Sequence, residues 1–321
     1  MDFTGMMLGY KRNRALTIEE QEGQLKQKIR LEFEPNYDLS VVKVNGTFLE
    51  MVDRHYAWRG FWTLFTLVNL LMFGGGYMSF VAITLDRWGN PNQNEDLLFL
   101  LFFALMWFPL IGILIWIMLK ETFTNTHFPI RLNRKNRKIY VFRPGRPNKP
   151  ILEAEWDKLF INLAFCGQGG RSSRQWDIRA HVMADDGVTV LDTFAFDMFV
   201  PKGDLDLLRG HWEFIRRYME DEDGAQKASE LVGVCMPIAN KRESPRFSLN
   251  RMWLNFAAPG EYFWYLVLPV IFLLAVGRWI SMQTSRVPVW PQAIEDECRI
   301  EPDDPFVRDE STNPTERFWA L

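Results

Sequence analysis

The chain has 321 residues, 48% of them hydrophobic and 15% aromatic, with a formal net charge of −3. That charge is too small, and of the wrong sign, for a general nucleic-acid binder. Cys166, Cys235 and Cys298 stand far apart and form no disulfide framework, and the four histidines show no metal-ligand spacing, so no metal and no cofactor is expected.

Residues 1–60 are polar and mixed in charge. Their most helical stretch is LTIEEQEGQLKQKIRLEF, with acids early and bases late, as a helix dipole favours. VVKVNGTFLEMV reads as a short hairpin around Asn45-Gly46. Residues 61–85 then run without one ionisable group, and 25 residues at about 1.5 Å each cross a hydrocarbon core of about 30 Å. Asn69 is the polar residue expected to bond a neighbouring helix, and Gly74, Gly75 and Gly76 are expected to admit another backbone closely, within the chain or in a homo-oligomer. Residues 97–119 form a second uncharged span carrying Pro109.

Residues 127–223 read as a globular domain. HFPIRLN and KIYVFR alternate apolar and polar residues, the period of half-buried strands, and RKNRK joins them with Asn136 suited to a positive φ. ILEAEWDKLFINLAF reads as two strands around a Trp-Asp corner. CGQGGRSSRQ is a Gly/Ser-rich connector without a phosphate-loop pattern, and Asp185-Asp186-Gly187 turns a long hairpin. In DLDLLRGHWEFIRRYMED the apolar positions Leu208, Trp212, Ile215 and Met219 share one helical face. Asp204 is the expected N-cap, and the acids 220–223 open a solvated linker.

That linker, 224–261, ends in an interfacial helix, FSLNRMWLNF. Residues 262–280 are long enough to cross if Arg278 snorkels, with a re-entrant or buried helix as the alternative. Residues 281–321, with five prolines and many acids, read as a poorly ordered or partner-bound tail. Near the span ends, thirteen Lys and Arg fall on one side and three on the other. The expectation is a multi-pass protein with the N-terminus and residues 120–261 cytoplasmic and the C-terminus periplasmic.

The expected fold is α+β: three transmembrane helices plus an antiparallel β domain closed by a C-terminal helix, the pattern of a pleckstrin-homology-like barrel. FPIRLNRKNRKIYVF and its flanking hydrophobic pair resemble an uncharacterised family of proteobacterial inner-membrane proteins, a likeness covering roughly residues 55–260. The resemblance implies an inner-membrane location and genomic company with type VI secretion effectors, but no catalytic residues.

The basic run Arg131, Arg134, Lys135, Arg137 and Lys138 has three readings: a solvated turn, a binder of anionic lipid headgroups or of a partner, and, least, a nucleic-acid site without an aromatic platform. No GxSxG, HExxH or neighbouring Cys-His pair suggests an enzyme. Non-enzymatic binding follows as the expectation. The first form is an immunity or accessory protein for a secreted effector; the alternatives are a lipid-sensing scaffold and, more weakly, a channel or transporter subunit.

Overall fold

A computed structural model describes residues 10–91, 93–143, 150–165, 175–201, 204–256 and 264–314. Its contacts divide the chain into two compact units. Residues 1–57, 125–242 and 287–321 form a β unit, and residues 58–124 and 243–286 form a helical unit. The protein is a mixed α+β chain with two antiparallel sheets and, among the described residues, three helices long and apolar enough to cross a membrane.

The first sheet runs in chain order: β3 (Val41–Val44), β4 (Phe48–Met51), β5 (Ile130–Asn133), β6 (Lys138–Phe142) and β7 (Ile151–Glu155). β4 and β5 pair from Phe48↔Asn133 to Met51↔Ile130, although 78 residues separate Met51 from Ile130. The entire first helical excursion is therefore spliced between two adjacent strands. The second sheet has the order β1 (Arg14–Ala15), β10 (Thr189–Pro201), β9 (Gln175–Met183), β8 (Leu159–Phe165) and β2 (Gln24–Leu25).

Strand alternation places Leu49, Leu132, Ile139 and Ala154 on one face of the first sheet. They share a core with Ile161, Ile178 and Phe194 of the second sheet. Helix α4 (Leu205–Glu220) lays Leu208, Trp212, Ile215 and Met219 into that core, the face its periodicity predicts, and Trp212 stacks on Trp156 at 5.8 Å. The 185–187 turn also forms as expected: Gly187 takes φ 67° and the Asp186 carboxylate accepts from the Val188 and Thr189 amides. Asn45-Gly46 turns the β3–β4 hairpin, with Asn45 Oδ1 accepting from the Thr47 and Phe48 amides.

Several expectations are corrected. The N-terminal helix shrinks to α1 (Ile18–Glu22), held by a Thr17–Glu20 capping box, because Gln24–Leu25 instead pair with β8 as strand β2. Residues 1–60 are thus not a separate segment but supply four strands. Asp204 makes no side-chain cap bond. Residues 224–231 are not linker but α5 (Gly224–Leu231), whose Ala225 and Ala228 enter the core.

The tail is the largest correction. Residues 287–321 belong to the β unit, where Trp290, Ile294 and Cys298 pack on Phe48, Tyr140 and Phe142 around α8 (Gln292–Glu297), and Arg308 bridges Val44. The sequence hides this because the apolar anchors are few and spaced among acids. The Gly/Ser-rich stretch 166–174 lies outside the described residues.

In the helical unit, α2 (Phe61–Asp86) and α3 (Gln93–Glu121) form a hairpin whose seam is aromatic, with Phe80 stacked on Phe103 at 5.0 Å and Phe73 edge-on to Trp107. Their outward apolar side chains, such as Leu71 and Leu105, are exposed. The stretch expected as an interfacial helix is helical, as α6 (Pro245–Phe256), and packs with α7 (Trp264–Thr284).

Candidate functional site

The basic turn gathers its charge by strand geometry. Asn133↔Lys138 closes the β5–β6 hairpin over Arg134–Arg137, and Asn133 Oδ1 accepts from the Asn136 amide. The left-handed residue is Arg137 at φ 52°, not Asn136, because a loop of this length bends at its last position.

Each base finds an acceptor within the β unit. Arg137 makes a two-point contact with Asp157 at 2.5 and 2.6 Å and reaches Glu220 at 2.6 Å, and these partners raise its pKa. Lys138 lies 2.7 Å from Glu153 and 3.0 Å from Glu297, Lys135 pairs with Glu301, and Arg134 donates to the Asp221 and Glu222 carbonyls. Arg131 is 5% exposed, beneath Trp290 and against Glu50.

The bases of the turn are therefore met by acids and backbone carbonyls of their own unit. Glu220, expected in a linker, also accepts from Trp156 Nε1 at 2.5 Å; burial opposes its ionisation, but Trp156, Arg137 and Lys28 together hold its pKa low.

Within the single chain, the residues expected to pack helices make few contacts between helices. Asn69 donates to Phe65 O of its own helix at 2.7 Å. Gly74 and Gly75 face open space, and only Gly76 of the three meets a neighbour, the Trp107 ring at 3.2 Å from where a Cβ would stand. The close backbone approach lies instead at Gly60 and Gly277, where a Cβ on Gly277 would stand 2.7 Å from Gly60 O.

Around that crossing sit charges that sequence reading missed. Glu121 accepts from the Gly60 and Thr63 amides at the start of α2, and Arg59 donates to Glu121 O, Ser281 and Ser285. Arg278 does not snorkel: it is fully buried in a two-point pair with Glu243 at 2.5 and 2.8 Å. Such a pair closes on itself because two buried charges without partners cost far more.

In the β unit, Ser40, Asp197 and His211 meet, but in an order that does not activate a nucleophile. Ser40 and His211 both donate to the Asp197 carboxylate, and the other ring nitrogen of His211 faces Asn36 O at 3.3 Å. Both ring nitrogens face acceptors, so imidazolium is the form that satisfies them. Burial opposes this charge, yet Asp197 raises the pKa of His211. His181 is the reverse: burial pushes it down to about 4, while its Nδ1 bonds Thr193 Oγ1 at 2.7 Å. Neither His lies in a group of three or more potential metal ligands among the described residues.

Together these features define a membrane-compatible α+β protein whose basic turn is paired with acids of its strands, of α4 and of its tail. Residues 91–302 match the model of a family of unknown function, DUF6708, and the chain belongs to that family. No curated protein and no solved structure matches it.

Proposed function

We propose that this chain is a non-enzymatic binding protein of the bacterial inner membrane, an immunity or accessory protein for a type VI secretion effector. Its β unit is a pleckstrin-homology-like module that offers the recognition surface in the cytoplasm. The carrying observation is the splice: β4 and β5 are register neighbours across the α2–α3 hairpin, so the module is rooted by two covalent strands at its sheet. Two covalent links from the strands tie the module to the apolar helices, which suits a recognition module attached to a membrane anchor. Two antiparallel sheets followed by α4 support the pleckstrin-homology-like reading. The implied genomic company supports the partner class.

Parity refines the topology. A compact unit made of residues 1–57, 125–242 and 287–321 lies on one side of a bilayer, so each excursion starts and ends there. The C-terminus is then cytoplasmic, with the N-terminus. An α6 of 12 residues reaches about 18 Å, short of the core, so the second excursion is read as re-entrant, the alternative its sequence allowed. Lipid sensing by the basic turn loses weight because Asp157, Glu153, Glu297 and Glu301 already occupy its side chains.

The test is co-expression with the effector encoded beside it in the native genome. Restored growth together with co-purification of the pair supports the reading; unrelieved toxicity with no complex removes it.

A further inference from the structure

The register neighbours Lys43, Glu50 and Arg131 form a row across the outer face of the first sheet. Together with Asn240, Glu295 and Arg299 they line a polar cavity of about 330 Å³, within the size range of small-ligand pockets.

Arg131 is the unusual member. Its Nε and Nη2 hold Glu50 at 2.7 and 2.6 Å, and Nη2 reaches Glu295 at 3.2 Å. Nη1 is buried and meets no hydrogen-bond acceptor of good geometry among the described residues; the Cys298 thiol on the cavity wall interacts with the guanidinium, but sulfur is a weak acceptor. The guanidinium cannot easily swing to satisfy Nη1, because it is sandwiched between the Phe48 ring at 4.3 Å and the Trp290 ring at 4.8 Å.

A fixed, unsatisfied charged donor is costly, and an oxyanion is the group that would relieve it. Two further cations stand by on loose pairs. Lys43 is 3.8 Å from Asp309, and Arg299, 80% exposed, is 3.3 Å from Asp296. The Arg299–Asp296 pair is exposed and holds little energy, and the Lys43–Asp309 pair, only partly exposed, is long, so both ammonium and guanidinium have room to turn to an incoming anion. Glu295, 45% exposed, is the arm that would turn outward.

We propose that this cavity binds a phosphate group, with Arg131 as the anchoring donor and Lys43 and Arg299 closing over it. The phosphate belongs to a small soluble ester or to a lipid headgroup, and the site is independent of the effector reading.

The test is calorimetric titration of the full-length protein in an uncharged detergent. The probes are inorganic phosphate, with chloride of equal ionic strength as reference, and dihexanoyl phosphatidic acid. Saturable phosphate binding is expected, weakened about tenfold by Lys43→Gln and again by Arg299→Gln, each removing one charge-assisted contact, and lost in Arg131→Lys. Lys227→Gln, outside the cavity lining, should bind as the wild type does. Binding of the phosphatidic acid alone, with the same sensitivity to substitution, assigns the site to a headgroup. No saturable binding of either probe overturns the proposal, as does binding that Lys43→Gln and Arg299→Gln leave unchanged. Arg299 lies in solvent and Lys43 is partly exposed on the outer face of the sheet, so neither substitution removes a core side chain.

Discussion

His181 and His211 both lie within the β unit and are completely buried, yet they titrate in opposite senses. The pKa of His211 is raised in the folded state. Its stabilisation is therefore complete below about pH 6.5 and is lost as pH rises through the folded value. The pKa of His181 is lowered to about 4, so the unfolded chain takes up a proton first as pH falls, and stability is lost between about 6.5 and 4. At about 1.4 kcal/mol per unit, the His181 loss reaches about 3 kcal/mol by pH 4.

The two effects predict a stability maximum near pH 6.5 as far as these histidines contribute. Amide exchange of α4 and β9, corrected for the intrinsic rate, measures it. Asp197→Asn should flatten the alkaline limb and leave the acid limb. A wild-type profile that rises steadily through pH 8 would contradict the assignment of His211.

At the scale of elements, the helical unit rests on a crossing at Gly60 and Gly277 and not on the glycine triplet of α2. Gly60 takes φ +94°, and a Cβ there would stand 2.2 Å from the Arg278 Cα. Gly277→Ala should therefore destabilise by about 1–3 kcal/mol through overpacking. Gly74→Ala and Gly75→Ala, open to the surroundings, should lie within about 0.5 kcal/mol of neutral, or gain slightly from helix propensity. Thermal unfolding in detergent separates these outcomes, and equal losses at Gly74 and Gly277 would reverse the assignment. Breaking the buried pair by Glu243→Gln should cost about 3–5 kcal/mol, because the buried Arg278 loses the carboxylate that holds it at two points. The double variant Glu243→Gln with Arg278→Met should recover part of that loss.

At the scale of the whole molecule, the β unit is assembled from three chain segments and holds its own core. Replacing residues 58–124 and 243–286 with short Gly/Ser linkers should give a protein that stays in solution and unfolds cooperatively, since β4 and β5 are already neighbours. Circular dichroism and a thermal melt check this; an aggregated or unstructured product would show that the helical unit is needed for folding. Topology has its own test. A fluorescent protein fused after Leu321 should fluoresce in cells, and a cysteine placed at Asn90 should react with an impermeant maleimide added from outside. A dark C-terminal fusion that is active as a periplasmic phosphatase would return the tail to the far side.

Much of this protein was legible in its order of residues. Two uncharged runs of helical length, the alternation in HFPIRLN and KIYVFR, the Asp-Asp-Gly turn and the apolar stripe of α4 are local signals, set by side-chain period and turn chemistry. The basic cluster was legible too, but only as charge. Which acids answer it was not, because Glu50, Glu153, Glu297 and Glu301 come from strands and a tail up to 166 residues away, and pairing across such distances leaves no local pattern. Composition alone made the tail look unstructured, since its anchors Trp290, Ile294 and Cys298 are isolated among acids. Sequence by itself determined which segments avoid water and where the chain must turn. Tertiary structure decided that strands on either side of an apolar helical hairpin are partners, that residues 287–314 share a unit with the N-terminal strands, and which acids meet the basic turn. The reason is physical: burial is a property of each stretch, whereas strand pairing and charge compensation depend on which stretches meet.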